Sequence, residues 1–385
     1  MSLEQFGIIG SAYYITYSFM QIPVGILLDR FSARVLITVA SGLCAFGALW
    51  FGFAYEFFPA FVSRLLIGLG SSFGFVALLI TTLNWFPKKH FAFLIGCGLF
   101  LGSIGPLVAG GPIAYVLKAV DGNWRVIFLW SAVFGFALTA LILLFFQGKP
   151  TQNEKVIFVD VKDPLGKRLK TLLVRQQVWW VLLYGGMIYV TLPILGAFWG
   201  TSYLQTRGLP KTSAASVISM IWIGLAIGSP LFGKLSDRMK RRKPFVSLCA
   251  VIGVAGSLLF LFAPIENVYI LSGLFFLIGL SGGGQTLAFA LISEQAPTAV
   301  RATAMGLTNT AVMGTAAILG PFVTSIIRHF TIDGQVSEAA FEKGFLVLPI
   351  CYSIALLVAL FGLKETFCRE QTEVHQVHSS YPTGF

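Results

Sequence analysis

Eleven apolar runs, each long enough to cross roughly 30 Å of hydrocarbon as a helix, occupy this chain almost from end to end. They cover 7–28, 35–55, 59–84, 91–117, 126–147, 177–203, 213–235, 245–264, 269–292, 302–327 and 344–363. In lipid each backbone N–H and C=O must find a partner inside the protein, so such runs fold as helices and not as open sheet. The short alternating segments of an outer-membrane barrel are not seen. Composition agrees: 56% of residues are hydrophobic and 11% charged, where a soluble chain carries about a quarter charged. The expected fold class is an all-α polytopic membrane protein.

The net charge of +11 does not point to nucleic acid, because the cations sit in short clusters between apolar runs, as cytoplasmic loops do. One side holds most of the 27 Lys and Arg: Arg30, Arg34, Lys88, Lys89, the stretch from Lys149 to Arg175, that from Lys234 to Lys243, Arg301, Lys364 and Arg369. That side is expected to be cytoplasmic, with the C-terminus inside and Met1 outside, in a bacterial inner membrane. The five cysteines are scattered without CxxC spacing and none of the four His lies mid-membrane. No metal, no cofactor and no membrane-embedded enzyme is therefore expected. The partner expected from composition is the lipid bilayer.

The loop after the first run reads GILLDRFSARVLI, Gly25 to Ile37, and the loop after the seventh reads GKLSDRMKRRKPFV, Gly233 to Val246. Both follow Gly-x-Leu-x-Asp-Arg with basic residues behind it, a duplication suited to a transporter built of two parallel halves. Gly lets a helix end approach its neighbour, while Asp accepts hydrogen bonds from a helix N-terminus or from Arg. These features give a gating motif of Gly25, Asp29, Arg30 and Arg34, repeated as Gly233, Asp237, Arg238 and Arg242. The sequence thus resembles the major facilitator superfamily (MFS), whose signature is this loop in each half. It departs from the usual glycine after Asp-Arg-x, placing Ser32 and Lys240 there.

Three further stretches are similar to family motifs: Arg64 to Gly70, the Gly-Pro-rich run with Gly105, Pro106, Gly110 and Gly111, and Asn123-Trp124-Arg125. The Gly-Pro run has shifted glycines and reads as a flexible helix. Glu294 to Arg301 is similar to the short loop following the family's tenth helix. The resemblance implies two pseudo-symmetric bundles: 1–147 holding helices 2–6, a cytoplasmic loop over 148–176, 177–365 holding helices 7–12, and a disordered tail over 366–385. Eleven helices of an expected twelve are then visible. The offset between the motif copies and the outside start lead to the expectation that the first helix lies upstream of Met1, with the gene product starting about 30–45 residues earlier.

Arg64 is the basic residue deepest inside a run, where charge is costly and usually functional. The remaining substrate-binding candidates are Tyr14, Tyr17, Gln21, Tyr189, Trp199, Gln285 and Asn309, polar or aromatic groups at membrane depth. Pro193 and Gly282-Gly283-Gly284 would let their helices bend. The sixteen acids fall in loops, helix ends or the tail, so no mid-membrane carboxylate offers itself as a proton carrier. The resemblance implies a secondary transporter of a small organic solute working by alternating access, as a monomer with a small-molecule substrate and a coupling proton or ion. Arg64 with the lack of buried acids makes an organic anion the preferred class. Proton-driven efflux of amphipathic compounds and a transport-dead sensor of the same fold are the alternatives.

Overall fold

The computed structural model describes residues 3–87, 90–147, 165–263, 265–297, 300–331 and 336–369, with only the backbone described at some helical positions. Among the described residues the chain is helical throughout, without strands. The long helices are α1 (Leu3–Arg30), α2 (Ala33–Gly52), α3 (Phe57–Trp85), α4 (Phe91–Ala119) and α5 (Trp124–Phe145). A short amphipathic α6 (Leu165–Leu173) follows, within the polar stretch expected as a loop, whose residues 148–164 lie outside those described. Then come α7 (Gln176–Thr206), α8 (Lys211–Met239), α9 (Lys243–Phe262), α10 (Val268–Gln295), α11 (Arg301–His329) and α12 (Glu338–Gly362). Nine described helices are long and apolar enough to span a membrane, and two shorter apolar stretches, Ile15–Leu28 and Phe91–Gly105, lie within α1 and α4. These correspond to the eleven expected runs.

Three helices are irregular, two of them where the sequence weakens the regular hydrogen-bond ladder. In α7, Pro193 is followed by a π-helical turn over Ile194–Trp199, the bulge that a missing proline N–H favours. In α10 the ladder breaks at Gly282-Gly283 before resuming at Gly284. The end of α12, Val358–Gly362, is also π-helical.

The chain divides into two compact units. The first holds Met1–Phe86, Val108–Thr171 and Thr298–Thr310; the second holds Pro87–Leu107, Leu172–Pro297 and Ala311–Phe385. Each therefore contains the opening segment of a helix, α11 or α4, that belongs to the other part of the sequence. In the first unit α2 packs on α3 and α5, and α1 on α3. Large apolar side chains of α5, Trp130, Phe134 and Phe145 among them, are exposed, as suits a helix facing lipid.

In the second unit α8 lies against α10, and α9 against α10 and α12. A Cβ added at Gly224 or Gly279 would collide with the facing backbone of the α8–α10 pair, so small residues set this close crossing. Tyr203, Phe260, Phe275, Phe341 and Phe345 form a fully buried aromatic cluster with centroids 5.1–6.0 Å apart. Such pairs contribute about 0.5–1.5 kcal/mol each beyond burial.

Candidate functional site

The duplicated motif makes the same contact in both units. A Cβ on Gly25 would lie 2.7 Å from Ala302 O and 2.9 Å from Thr303 Cα, in the first turn of α11. A Cβ on Gly233 would lie 2.6 Å from Ala92 C and 2.9 Å from Phe93 N, in the first turn of α4. In each case a motif glycine rests on the second and third residues of a helix whose first-turn N–H groups have no partner inside that helix.

The second copy shows what the aspartate does. Phe93 N–H donates to Asp237 Oδ2 at 3.0 Å, so Asp237 caps α4 from another helix, with its charge facing the positive end of the α4 dipole. Its other oxygen accepts from Arg242 Nη1 at 2.7 Å. The guanidinium, fully buried, also donates to Ser236 Oγ at 2.8 Å and to Glu294 Oε1 at 3.1 and 2.6 Å. Burial works against this cation, but Glu294 and Asp237 outweigh it and hold its pKa above the usual arginine value. The α8 terminus supports the geometry. Lys240 adopts φ +52°, and Lys240 and Arg241 N–H bond back to Asp237 and Ser236 C=O at 3.4 and 3.2 Å, a Schellman end with lysine in the position glycine usually fills. Ser32, its counterpart, is extended at φ −60°.

The segment after α12 completes the cluster. Glu365 accepts from Arg242 N and Lys243 N at 2.8 and 3.0 Å, capping α9, which has no side-chain cap of its own. Thr366 Oγ1 donates to Glu294. Burial pushes the neighbouring Cys368 thiol up to about 12. Glu365 and Thr366 were not foreseen as part of the motif; nothing near the end of a sequence signals which distant helix it will cap. In the first copy Arg34 Nη2 donates to Leu143 O of α5 at 2.5 Å, while Arg30 and Arg238 are exposed. The copies also differ in charge: Glu294, three residues before Pro297, corresponds to Asn84, three before Pro87.

Four of the substrate-binding candidates meet within the first unit. Asn309 Nδ2 donates to Gln21 Oε1 at 2.7 Å and to Tyr17 OH at 3.4 Å. Tyr17 stacks on Tyr13 at 5.8 Å, and the Arg64 guanidinium lies over Tyr13 at 5.7 Å and over Phe51 at 5.6 Å. Half-buried, Arg64 has no carboxylate or other hydrogen-bond partner among the described residues, and Asn309 Oδ1 is buried without a donor. Tyr13, Tyr17 and Gln21 fall at i, i+4 and i+8 on one face of α1, with Gly25 one turn further. That spacing is the signal that would have singled out Tyr13. The stripe from Tyr13 to Gln21 is about 12 Å long.

The other candidates belong to the second unit. Trp199 Nε1 donates to Thr324 Oγ1 at 3.0 Å, Tyr189 is half-buried against the hydrophobic core, and Gln285 is buried with Oε1 unpaired. Gly105 lies exposed within α4. The side chains of Tyr14 and Asp29, and the surroundings of Pro106, Gly110 and Gly111, lie outside the described residues.

Relatives agree with this architecture. The chain is 24% identical over 94% of its length, and 85% of the relative, to a protein of Cupriavidus necator described as the probable sulfoacetate transporter SauU. It is 25% identical over 63% of its length, and 58% of the relative, to the hexuronate transporter of Bacillus subtilis. The crystal structure of the E. coli fucose:proton symporter FucP matches with a TM-score of 0.72 at 18% identity, covering 93% of this chain and 91% of that one. The profile of the Major Facilitator Superfamily matches residues 1–321. This chain accordingly belongs to the Major Facilitator Superfamily and is a multi-pass secondary transporter of a small-molecule substrate.

Proposed function

We propose that the chain moves a small organic anion across the bacterial inner membrane by alternating access, with Arg64 holding the anionic group. The observation that carries this reading is the state of Arg64, half-buried within cation–π distance of the Tyr13 and Phe51 rings and with its donors uncommitted among the described residues. A cation at membrane depth is expensive and is normally paired; here the pairing role falls to the solute. The two nearby aromatic rings add cation–π stabilisation of about 0.5–2 kcal/mol while leaving guanidinium N–H groups free for a bidentate carboxylate or sulfonate. Tyr17, Gln21 and Asn309, further along the stripe, offer hydrogen bonds to the polar body of the solute, and the unpaired Asn309 Oδ1 asks for a hydroxyl donor. The names of the sulfoacetate and hexuronate transporters support the same class.

The basic loops define the cytoplasmic side in this reading, so the C-terminus lies inside and the motif contacts close the cytoplasmic ends of the helices. The chain works as a monomer, with a coupling proton or ion. Proteoliposomes containing the full chain, energised by an inward proton gradient, test this with labelled sulfoacetate, glucuronate and uncharged fucose. Accumulation of an anion but not of fucose is expected. Accumulation of fucose alone would overturn the anion assignment.

A further inference from the structure

A second feature of the chain remains without a role, a cavity of about 570 Å³ at the helix ends opposite the basic loops, wholly within the second unit. It lies between the π-helical turn of α7 and the last turns of α11, lined by Phe198, Trp199, Pro321, Thr324, Ser325 and Arg328 among others. The volume falls in the usual range for small-molecule sites.

Local chemistry explains why the cavity is there and what it offers. Pro321 cannot donate to Ala317 C=O, which loosens α11, and Gly320 lets the Phe198 ring lie close, within 3.3 Å of where a Cβ would stand. The π-helical turn brings Phe198 and Trp199 to the cavity wall. Trp199 is held in place by its hydrogen bond to Thr324 and an edge contact with Phe341 at 5.9 Å. Ser325 Oγ donates to Phe322 O at 2.7 Å, and its lone pairs remain available. Arg328 is exposed and its guanidinium has no ion pair or hydrogen bond among the described residues, whereas Arg207 is committed to Glu338 at 3.2 Å. The lining thus holds one cation and no acid, with an indole and a phenyl ring beside it.

We propose that this cavity is an outer-mouth subsite that captures an organic anion with an apolar or aromatic body, Arg328 taking the charge and Trp199 and Phe198 the body. It is distinct from the Arg64 site, which lies in the other unit, and its geometry stands whether or not Arg64 binds the transported solute. Its outward position follows from the orientation given by the basic loops. The bland role for Arg328 is to complement the C-terminal end of the α11 dipole, which needs no ligand.

The test uses intact cells carrying the full chain with Ser325→Cys. Two membrane-impermeant methanethiosulfonates, one bearing a sulfonate and one a trimethylammonium group, are compared for labelling rate. The positive potential of the subsite should favour the anionic reagent by about tenfold relative to a free thiol, and Arg328→Ala, or Arg328→Gln if the alanine variant expresses poorly, should abolish that preference. Millimolar benzoate, but not benzylamine, should slow labelling at least several-fold. That protection should vanish in Arg328→Ala and Trp199→Ala yet persist in Arg64→Ala. Equal rates for the two reagents, no labelling from outside, no protection by benzoate, or protection lost in Arg64→Ala would each overturn the proposal.

Discussion

Replacing Asp237 by Asn removes a carboxylate that serves two partners at once, Phe93 N–H at 3.0 Å and Arg242 Nη1 at 2.7 Å. Asn retains one acceptor oxygen, so one of these bonds is lost, and a charge-assisted bond contributes about 1.5–3 kcal/mol. The anion also leaves the N-terminal end of α4, where it stabilises by up to about 2 kcal/mol. A neutral amide is cheaper to bury than a carboxylate, which offsets part of the loss and leaves about 2 kcal/mol. That corresponds to roughly a thirtyfold shift away from the conformation holding α4 against α8. The chain should still fold and insert, since the aromatic core of the second unit is untouched. The assay is initial uptake rate at matched membrane abundance, together with thiol labelling of Ala92→Cys, a position now fully buried under Gly233. Uptake should fall at least tenfold and Ala92→Cys labelling should rise by a similar factor. Unchanged uptake and unchanged labelling at equal abundance would refute the idea that this contact latches one conformation.

Other consequences of the same cluster can be measured. Arg242→Ala should destabilise the protein by about 3–5 kcal/mol, because it strands two buried carboxylates; a lowered thermal midpoint partly restored by adding Glu294→Gln is expected, and a wild-type midpoint would contradict the buried network. With its pKa raised above the usual thiol value, Cys368 is protonated at neutral pH, so its contribution to stability is complete below the ordinary thiol pKa and is lost as pH rises towards about 12. Alkylation of Cys368 at pH 8, followed by peptide mass spectrometry, should be about a hundredfold slower than that of a free thiol and should accelerate in Glu365→Ala; a rate like that of a free thiol in the parent would exclude burial of the segment.

What could be read in the sequence and what could not divides along physical lines. Hydropathy reports the lipid-facing requirement directly, so the eleven runs matched helices such as Phe57–Trp85 and Arg301–His329 to within a few residues. At Pro193 and at Gly282 to Gly284, where bending was expected, the helical hydrogen-bond ladder is irregular, because a missing N–H or side chain acts locally. Long-range partners were not legible. Nothing in the neighbourhood of Gln21 points to Asn309, and the acids Glu294 and Glu365 looked like ordinary helix-end residues until the fold brought them to Arg242. The duplicated motif indicated that Gly25 and Gly233 play equivalent roles, but not that each rests on the second and third residues of a helix start. Nor did it show that only Glu294, and not its counterpart Asn84, brings a carboxylate to that position.

The central claim is that Arg64 is the counter-charge of the transported solute, and equilibrium binding to the purified full chain tests it most directly. With the anion that accumulates in proteoliposomes, Arg64→Ala should weaken binding by about 2–5 kcal/mol, as removing one partner of a desolvated charge pair does. Arg64→Lys should recover part of that affinity, since it keeps the charge but loses the bidentate fork. The thermal midpoint of each variant without solute reports whether the site still folds. Binding that is unchanged in both variants would contradict the claim and leave Arg64 as a side chain packed near Tyr13 and Phe51.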